Sequence, residues 1–201
     1  MKKAPHKRTQ LIVIEGPDRV GKETQSKLLV KTLQGLGYSA TRIEIPFNDG
    51  VTYKLIYWML GNGLAKKFNN LFQAIQILNK YVCQTLELPR YEEQYDYVIL
   101  DRWHLSSEVY GEASAVNKEL LDIVARVLTR VDTTFVLLGP PHMKEGRDVY
   151  ERDTEFQQNV RKIYKGMTEK DPSLVQIKAD QPIESVHDAI MSYLSLRGKL
   201  E

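Results

Sequence analysis

The chain has one cysteine, Cys83, among 201 residues. No intrachain disulfide can form, which excludes a disulfide-stapled secreted scaffold and makes a reducing cytoplasm the expected home. No apolar run approaches the roughly 20 residues that a membrane-spanning helix needs. The start of the chain is basic, with Lys2, Lys3, Lys7 and Arg8. It shows no long apolar segment and no small-residue cleavage site, so no secretory leader is expected. Residues 1–9 read instead as a solvated basic tail. Excess charge is also scarce. Lys+Arg 28 against Asp+Glu 26 leaves +2, and a nucleic-acid partner is not demanded. His6, His104, His142 and His187 lack metal-ligand spacing, which speaks against a zinc site. Internal repeats and low-complexity stretches are missing too.

What is present is an ordinary globular mixture, 42% hydrophobic and 27% charged, long enough for a single domain over residues 1–201. Five short apolar segments read as strands: Leu11–Ile14, Thr41–Ile45, Tyr97–Leu100, Thr134–Leu138 and Leu174–Ile177. Helical periodicity fills the intervals. Leu29, Leu33 and Leu36 recur at helical spacing, with Gly35 and Gly37 as stop signals, and a long stripe from Phe68 to Leu86 should end before Pro89. Leu120 to Val131 and Val186 to Leu194 mark two more helices. Glu92, Glu93 and Asp96 read as a solvated turn. Strands alternating with helices imply parallel strands joined by right-handed crossovers, an α/β sandwich. In such sheets ligands sit beyond the carboxyl ends of the strands, so the residues there come first.

After the first strand runs Gly16-Pro17-Asp18-Arg19-Val20-Gly21-Lys22-Glu23-Thr24, followed by a helix. This is G-x-x-x-x-G-K in its required strand–loop–helix setting. The two glycines let backbone N–H groups turn inward, the helix N-terminus adds positive potential, and Lys22 brings a full charge to the phosphates. The position after the lysine normally carries a hydroxyl for Mg²⁺; here it is Glu23. A carboxylate can ligate that ion directly, and Thr24 keeps a hydroxyl one residue later.

The stretch Ile14 to Gln25 resembles the opening of thymidylate kinases, E-G-x-D-x-x-G-K-[ST]-T-Q. Asp101-Arg102-Trp103-His104-Leu105-Ser106-Ser107-Glu108-Val109-Tyr110 resembles that family's D-R-[YFH]-x-x-S-x-x-A-[YF]. Pro140-Pro141 with Arg147, and Glu151 to Phe156 with Arg161 and Tyr164, are similar to its lid and the helix that follows. The resemblance implies a three-layer P-loop kinase fold with five parallel strands in the order 2-3-1-4-5, a lid at about 142–155, ATP and Mg²⁺ as cofactors, and a homodimer. It further implies that Asp18 holds the acceptor's 3′-hydroxyl and that Arg19 reaches the transferring phosphate. Asp101 and Arg102 would lie at the acceptor, with Arg102 on its monophosphate. Ser106 and Ser107 would border the base, and Tyr110 would pack on the sugar. Lys22, Arg19, Asp101, Arg147 and Arg152 form the expected catalytic set, and Glu23, Thr24 and Asp101 the expected metal set. Asp101 also has a purely structural reading, as the partner of Arg102. Trp103 either lines the site or packs.

Two departures lie on the acceptor side. Ile45-Pro46-Phe47-Asn48 stands where the family has F-P-x-R, so that arginine is missing. The thymine-stacking Phe and the Arg four residues later are replaced near Gln76 to Lys80; Phe72 and Lys80 are the substitutes, although Phe72 also fits the apolar stripe. The expected reaction is ATP + dTMP to ADP + dTDP, or the same step on a closely related pyrimidine deoxynucleotide. Two alternatives stay open: a different hydroxyl or nucleotide acceptor (a nucleoside, a modified pyrimidine, a base in DNA), or nucleotide binding without turnover.

Overall fold

Strand β1 (Gln10–Glu15) carries Leu11, Ile12, Val13 and Ile14 in succession, and all four are buried. Ile12 and Ile14 face one hydrophobic cluster while Leu11 and Val13 face another. A strand apolar on both faces belongs at the centre of a covered sheet. The computed structural model of the chain, which describes residues 8–128, 131–141, 150, 153–198 and 200, places it there.

In chain order β1 is followed by α1 (Lys22–Gly35), β2 (Ala40–Glu44), α2 (Thr52–Gly61), α3 (Leu64–Lys67) and α4 (Asn69–Val82). A π-turn (Cys83–Glu87) then leads into α5 (Leu88–Gln94), β3 (Tyr97–Asp101), α6 (His104–Ala113) and α7 (Lys118–Val127). The chain continues through β4 (Thr133–Leu138), α8 (Thr154–Lys170), β5 (Leu174–Lys178) and α9 (Ile183–Leu196). All strand pairs are parallel, in the order β2-β3-β1-β4-β5. This is the P-loop kinase architecture expected. The register sets Asp101 opposite both Ile14 and Glu44, so the carboxyl ends of β1, β2 and β3 finish together.

Helices α1 and α9 cover one face, through Leu29, Leu33, Val186, Ile190 and Leu194. The other face is covered by α4, the π-turn, α5 and α7, through Ile77, Cys83, Leu88 and Val124. Leu105 and Val109 of α6 meet Val160 and Tyr164 of α8 over Val136. Beside the sheet, Ile56, Met59, Ala65, Phe72, Ile75 and Tyr150 form a smaller cluster.

The helical stripe does not stop before Pro89. Leu88 N donates to the Cys83 carbonyl, an i→i+5 bond, and α5 begins at once with Pro89 in its first turn. A proline costs nothing there, because a first-turn N–H has no helical acceptor. The wider turn has a packing reason. Cys83 and Leu88 are five residues apart and both buried in the same cluster, which uniform α spacing would not allow. Glu92 and Glu93 accordingly ride on α5 and are not a turn. Trp103 is fully buried in that cluster, so its role is packing.

Candidate active site

The loop after β1 is shaped by contacts only glycine allows. Gly16 has φ 141°, and a Cβ there would collide with the Leu137 carbonyl of β4. Gly21, at φ 95°, starts α1. The first-turn amides of α1, which have no helical acceptors, therefore open towards the loop. Lys22 is the first residue of that helix; it is buried, and its Nζ donates to the Pro17 carbonyl. Burial, and then the Arg102 guanidinium, bring its pKa down to about 8, against the pull of Asp18, Asp101 and Glu15. Arg19 sits within the loop at φ 62°.

Arg102 follows β3 directly, in the left-handed region at φ 73°. Its Nη1 donates to the Gly16 carbonyl at 3.2 Å, its Nη2 pairs with Asp18, and the guanidinium lies 5.2 Å from the centre of the Tyr110 ring. Gln157 of α8 donates Nε2 to Asp18 Oδ2 at 2.7 Å. Burial raises the Asp18 pKa, but Arg102 and Lys22 outweigh it and leave the carboxyl below its ordinary range. Burial opposes the charge on Arg102 as well, yet Tyr110, Asp18 and their neighbours hold it firmly protonated. Beneath this pair lies Glu15, fully buried. It accepts from Trp103 N at 2.7 Å, Ser106 N at 3.1 Å and the Tyr164 hydroxyl at 3.0 Å. One carboxylate thus caps the start of α6 and braces the turn that carries Arg102.

Asp101 is not the partner of Arg102. It accepts from Arg42 Nη2 of β2 at 2.5 Å and from Ser26 Oγ of α1 at 3.4 Å. Lys80 is almost wholly buried in α4 and donates to Ser107 Oγ at 2.5 Å, while Gln73 donates to the Ser107 carbonyl at 2.8 Å. Burial draws the Lys80 pKa down to about 8, though Glu15 opposes it. Phe72 serves two ends at once, packed in the small cluster near Tyr150 and lining the cleft. Asn79 clamps the segment after β2, accepting from Phe47 N and donating to its carbonyl, both at 2.7 Å.

One cleft of about 740 Å³ is lined by Asp18, Lys22, Lys80, Arg102 and Tyr110 and reaches Gln181 and Ile183 at the start of α9. That is room for two small polar ligands end to end. Ser106 is on its wall, whereas Ser107 is 1% exposed and engaged by Lys80. Glu23 is half-exposed and pairs with Lys27 one turn on at 2.6 Å; Thr24 is exposed beside it. Among the described residues no three acidic, His or Cys side chains gather as a metal cage. Arg147, Arg152 and most of the expected lid lie outside the described residues. Its far end is visible: Asp153 caps α8 by accepting from Phe156 N at 2.9 Å and pairs with Lys66 at 2.6 Å.

A family model for thymidylate kinase matches residues 14–190. The chain belongs to the thymidylate kinase family. The thymidylate kinase of Plasmodium falciparum is 27% identical, with 92% of this chain and 89% of that one covered. That of Schizosaccharomyces pombe is 27% identical over 94% and 92%, and that of Neorickettsia sennetsu 30% over 83% and 85%. The thymidylate kinase structure from Candida albicans superposes with a TM-score of 0.78 over 96% of this chain and 94% of its own, at 24% identity, a likeness of fold. Membership makes the chain a phosphotransferase of the nucleoside monophosphate kinase kind. No described helix is long and apolar enough to cross a membrane.

Residue reasoning alone missed Glu15, Arg42, Asn79 and Gln157. Glu15 left a signal, since it stands inside the recognised motif; a strand-end acid followed by glycine is a candidate for bracing whatever follows the neighbouring strand. Arg42 lies within β2, whereas the family pattern places its arginine after that strand.

Proposed function

We propose that the protein transfers the γ-phosphoryl group of ATP to dTMP, giving ADP and dTDP. The observation that carries the reading is the contiguous Lys22–Asp18–Arg102–Tyr110 cluster, which joins the phosphate loop to the far half of the cleft. The donor triphosphate meets the α1 N-terminus, Lys22 and Arg19. The acceptor monophosphate meets Arg102, whose planar fork suits two phosphate oxygens and which exchanges Asp18 for them. Asp18, released, accepts from the 3′-hydroxyl, and the Tyr110 ring lies against a sugar carbon that lacks a 2′-hydroxyl. Lys80, Ser106 and Phe72 border the base. Catalysis is positioning and charge neutralisation with no covalent enzyme intermediate.

The residues fit Mg²⁺. That ion takes oxygen ligands, keeps several waters and needs only one or two carboxylates beside substrate phosphates, so a protein cage is not required. Glu23, Thr24 and Asp101 all line the cleft or adjoin it and offer such oxygens. Bound with them, the ion neutralises charge on the donor phosphates.

A homodimer belongs to the same reading. Leu71 and Leu78 of α4, a heptad apart, are 57% and 50% exposed, and Trp58 of α2 is 56% exposed. Helices α2 and α4 pack together, and each leaves large apolar side chains exposed. The free, buried Cys83 suits a reducing compartment such as the cytoplasm.

An acceptor panel measured by ADP release tests the assignment: dTMP, dUMP, TMP with a ribose, free thymidine and single-stranded DNA. The highest kcat/KM is expected with dTMP. A higher value with thymidine or DNA selects the other acceptor reading, and no ADP with any acceptor selects binding without turnover.

A further inference from the structure

Asp101 lines the cleft; Arg42 and Ser26 stand behind it and do not. Arg42 uses three of its nitrogens. Nη2 donates to Asp101 at 2.5 Å, Nε to Ser26 Oγ at 2.8 Å, and Nη1 to Glu44 at 3.1 Å. The Arg42 side chain is 15% exposed and that of Asp101 is 9% exposed. We infer that Arg42 is a positioning residue for phosphoryl transfer, acting through Asp101 by fixing the rotation of its carboxylate. The inference rests on Asp101 being a working carboxylate of the reaction.

A plain structural pair would tie β2 to β3. Those strands already pair over five residues, from Ala40 opposite Tyr97 to Glu44 opposite Asp101, so the tie adds little. What the sheet leaves undetermined is the Asp101 side chain, free to turn about its two torsions. The fork removes that freedom. Nε held on Ser26 of α1 and Nη1 on Glu44 fix the guanidinium plane, and the plane fixes one carboxylate oxygen. Because Glu44 is two residues from Arg42, both side chains leave β2 on the same side. A lysine at position 42 would supply charge without a plane. Ser26 Oγ reaches the same Asp101 oxygen only at 3.4 Å, too long to hold it alone.

The test is a double-mutant cycle in the full-length protein, Arg42→Gln and Asp101→Asn singly and together. Arg42→Gln is expected to lower kcat about tenfold or more while both KM values stay within about threefold, and to add nothing in the Asp101→Asn background. Arg42→Lys should retain part of the rate, and added guanidinium ion should restore part of it in Arg42→Ala but not in the Asp101→Asn double variant. The same cycle read by thermal melting shows the pair itself, since coupled melting shifts require the contact in solution. Wild-type kcat in Arg42→Gln overturns the inference, as do losses that add independently with Asp101→Asn. A fully active Asp101→Asn would instead remove the premise, and the two failures are told apart by that single variant. Should Arg42→Gln fail to fold, Arg42→Lys with guanidinium carries the decision.

Discussion

Burial, and then Arg102, hold the Lys22 pKa at about 8 against an ordinary 10.5, although Asp18, Asp101 and Glu15 pull it upward. A bound triphosphate favours the charged form. Below pH 8 the ammonium is protonated with or without nucleotide, so affinity is flat; above pH 8 it must be reprotonated on binding, so affinity falls as pH rises. Calorimetry in two buffers of different ionisation enthalpy should show proton uptake rising towards about one per ATP above pH 8. Constant affinity up to roughly pH 9.5 would mean that the lysine does not meet the phosphates. Glu23 is decided by metal dependence. If it ligates Mg²⁺ with the donor phosphates, Glu23→Gln raises the Mg²⁺ concentration for half-maximal rate by about threefold or more, an amide being the poorer ligand for a hard cation. An unaltered curve would make it only the helical partner of Lys27.

Among the elements, α5 best shows what packing adds to local signals. Leu88 opens it, is 3% exposed and anchors it on the sheet. Leu88→Ala should cost about 2–5 kcal/mol in urea denaturation, while Pro89→Ala should change stability by less than about 1 kcal/mol. The five strands were readable because unbroken apolar runs have few other uses, and β1 and β3 needed both faces covered. The phosphate loop was readable because its parts are consecutive. The π-turn was not, since it exists to align Cys83 with Leu88 against a sheet that sequence periodicity does not contain. Nor were the pairings that shape the site: Arg42 meets Asp101 across 59 residues, Gln157 meets Asp18 across 139, and Tyr164 meets Glu15 across 149. Chain neighbours suggested Asp101 with Arg102; three-dimensional neighbours are Asp101 with Arg42 and Arg102 with Asp18.

For the whole molecule, the exposed apolar side chains of α2 and α4 set the expectation. Leu71→Asp places a charge in the middle of a surface that two copies would bury, and it should convert dimer to monomer in sedimentation velocity. The far end of the same helix presents Lys80 to the cleft, so the monomer should also lose acceptor affinity more than ATP affinity. A wild-type protein that sediments as a monomer at micromolar concentration would assign the surface no role in self-association.

Arg19 and its φ of 62° carry one more consequence. A side chain held there costs of the order of 1–2 kcal/mol that glycine would not pay. Arg19→Gly should therefore raise the melting temperature by about 2–4 °C while depressing turnover. Selection for robustness alone would have replaced this arginine. Its retention would record a trade, made at a single residue, of durability for speed. Heat-selected variants of the gene, screened without regard to activity, should accumulate glycine or asparagine at this position. If they keep the arginine, the loop's shape and not its chemistry is what holds it there.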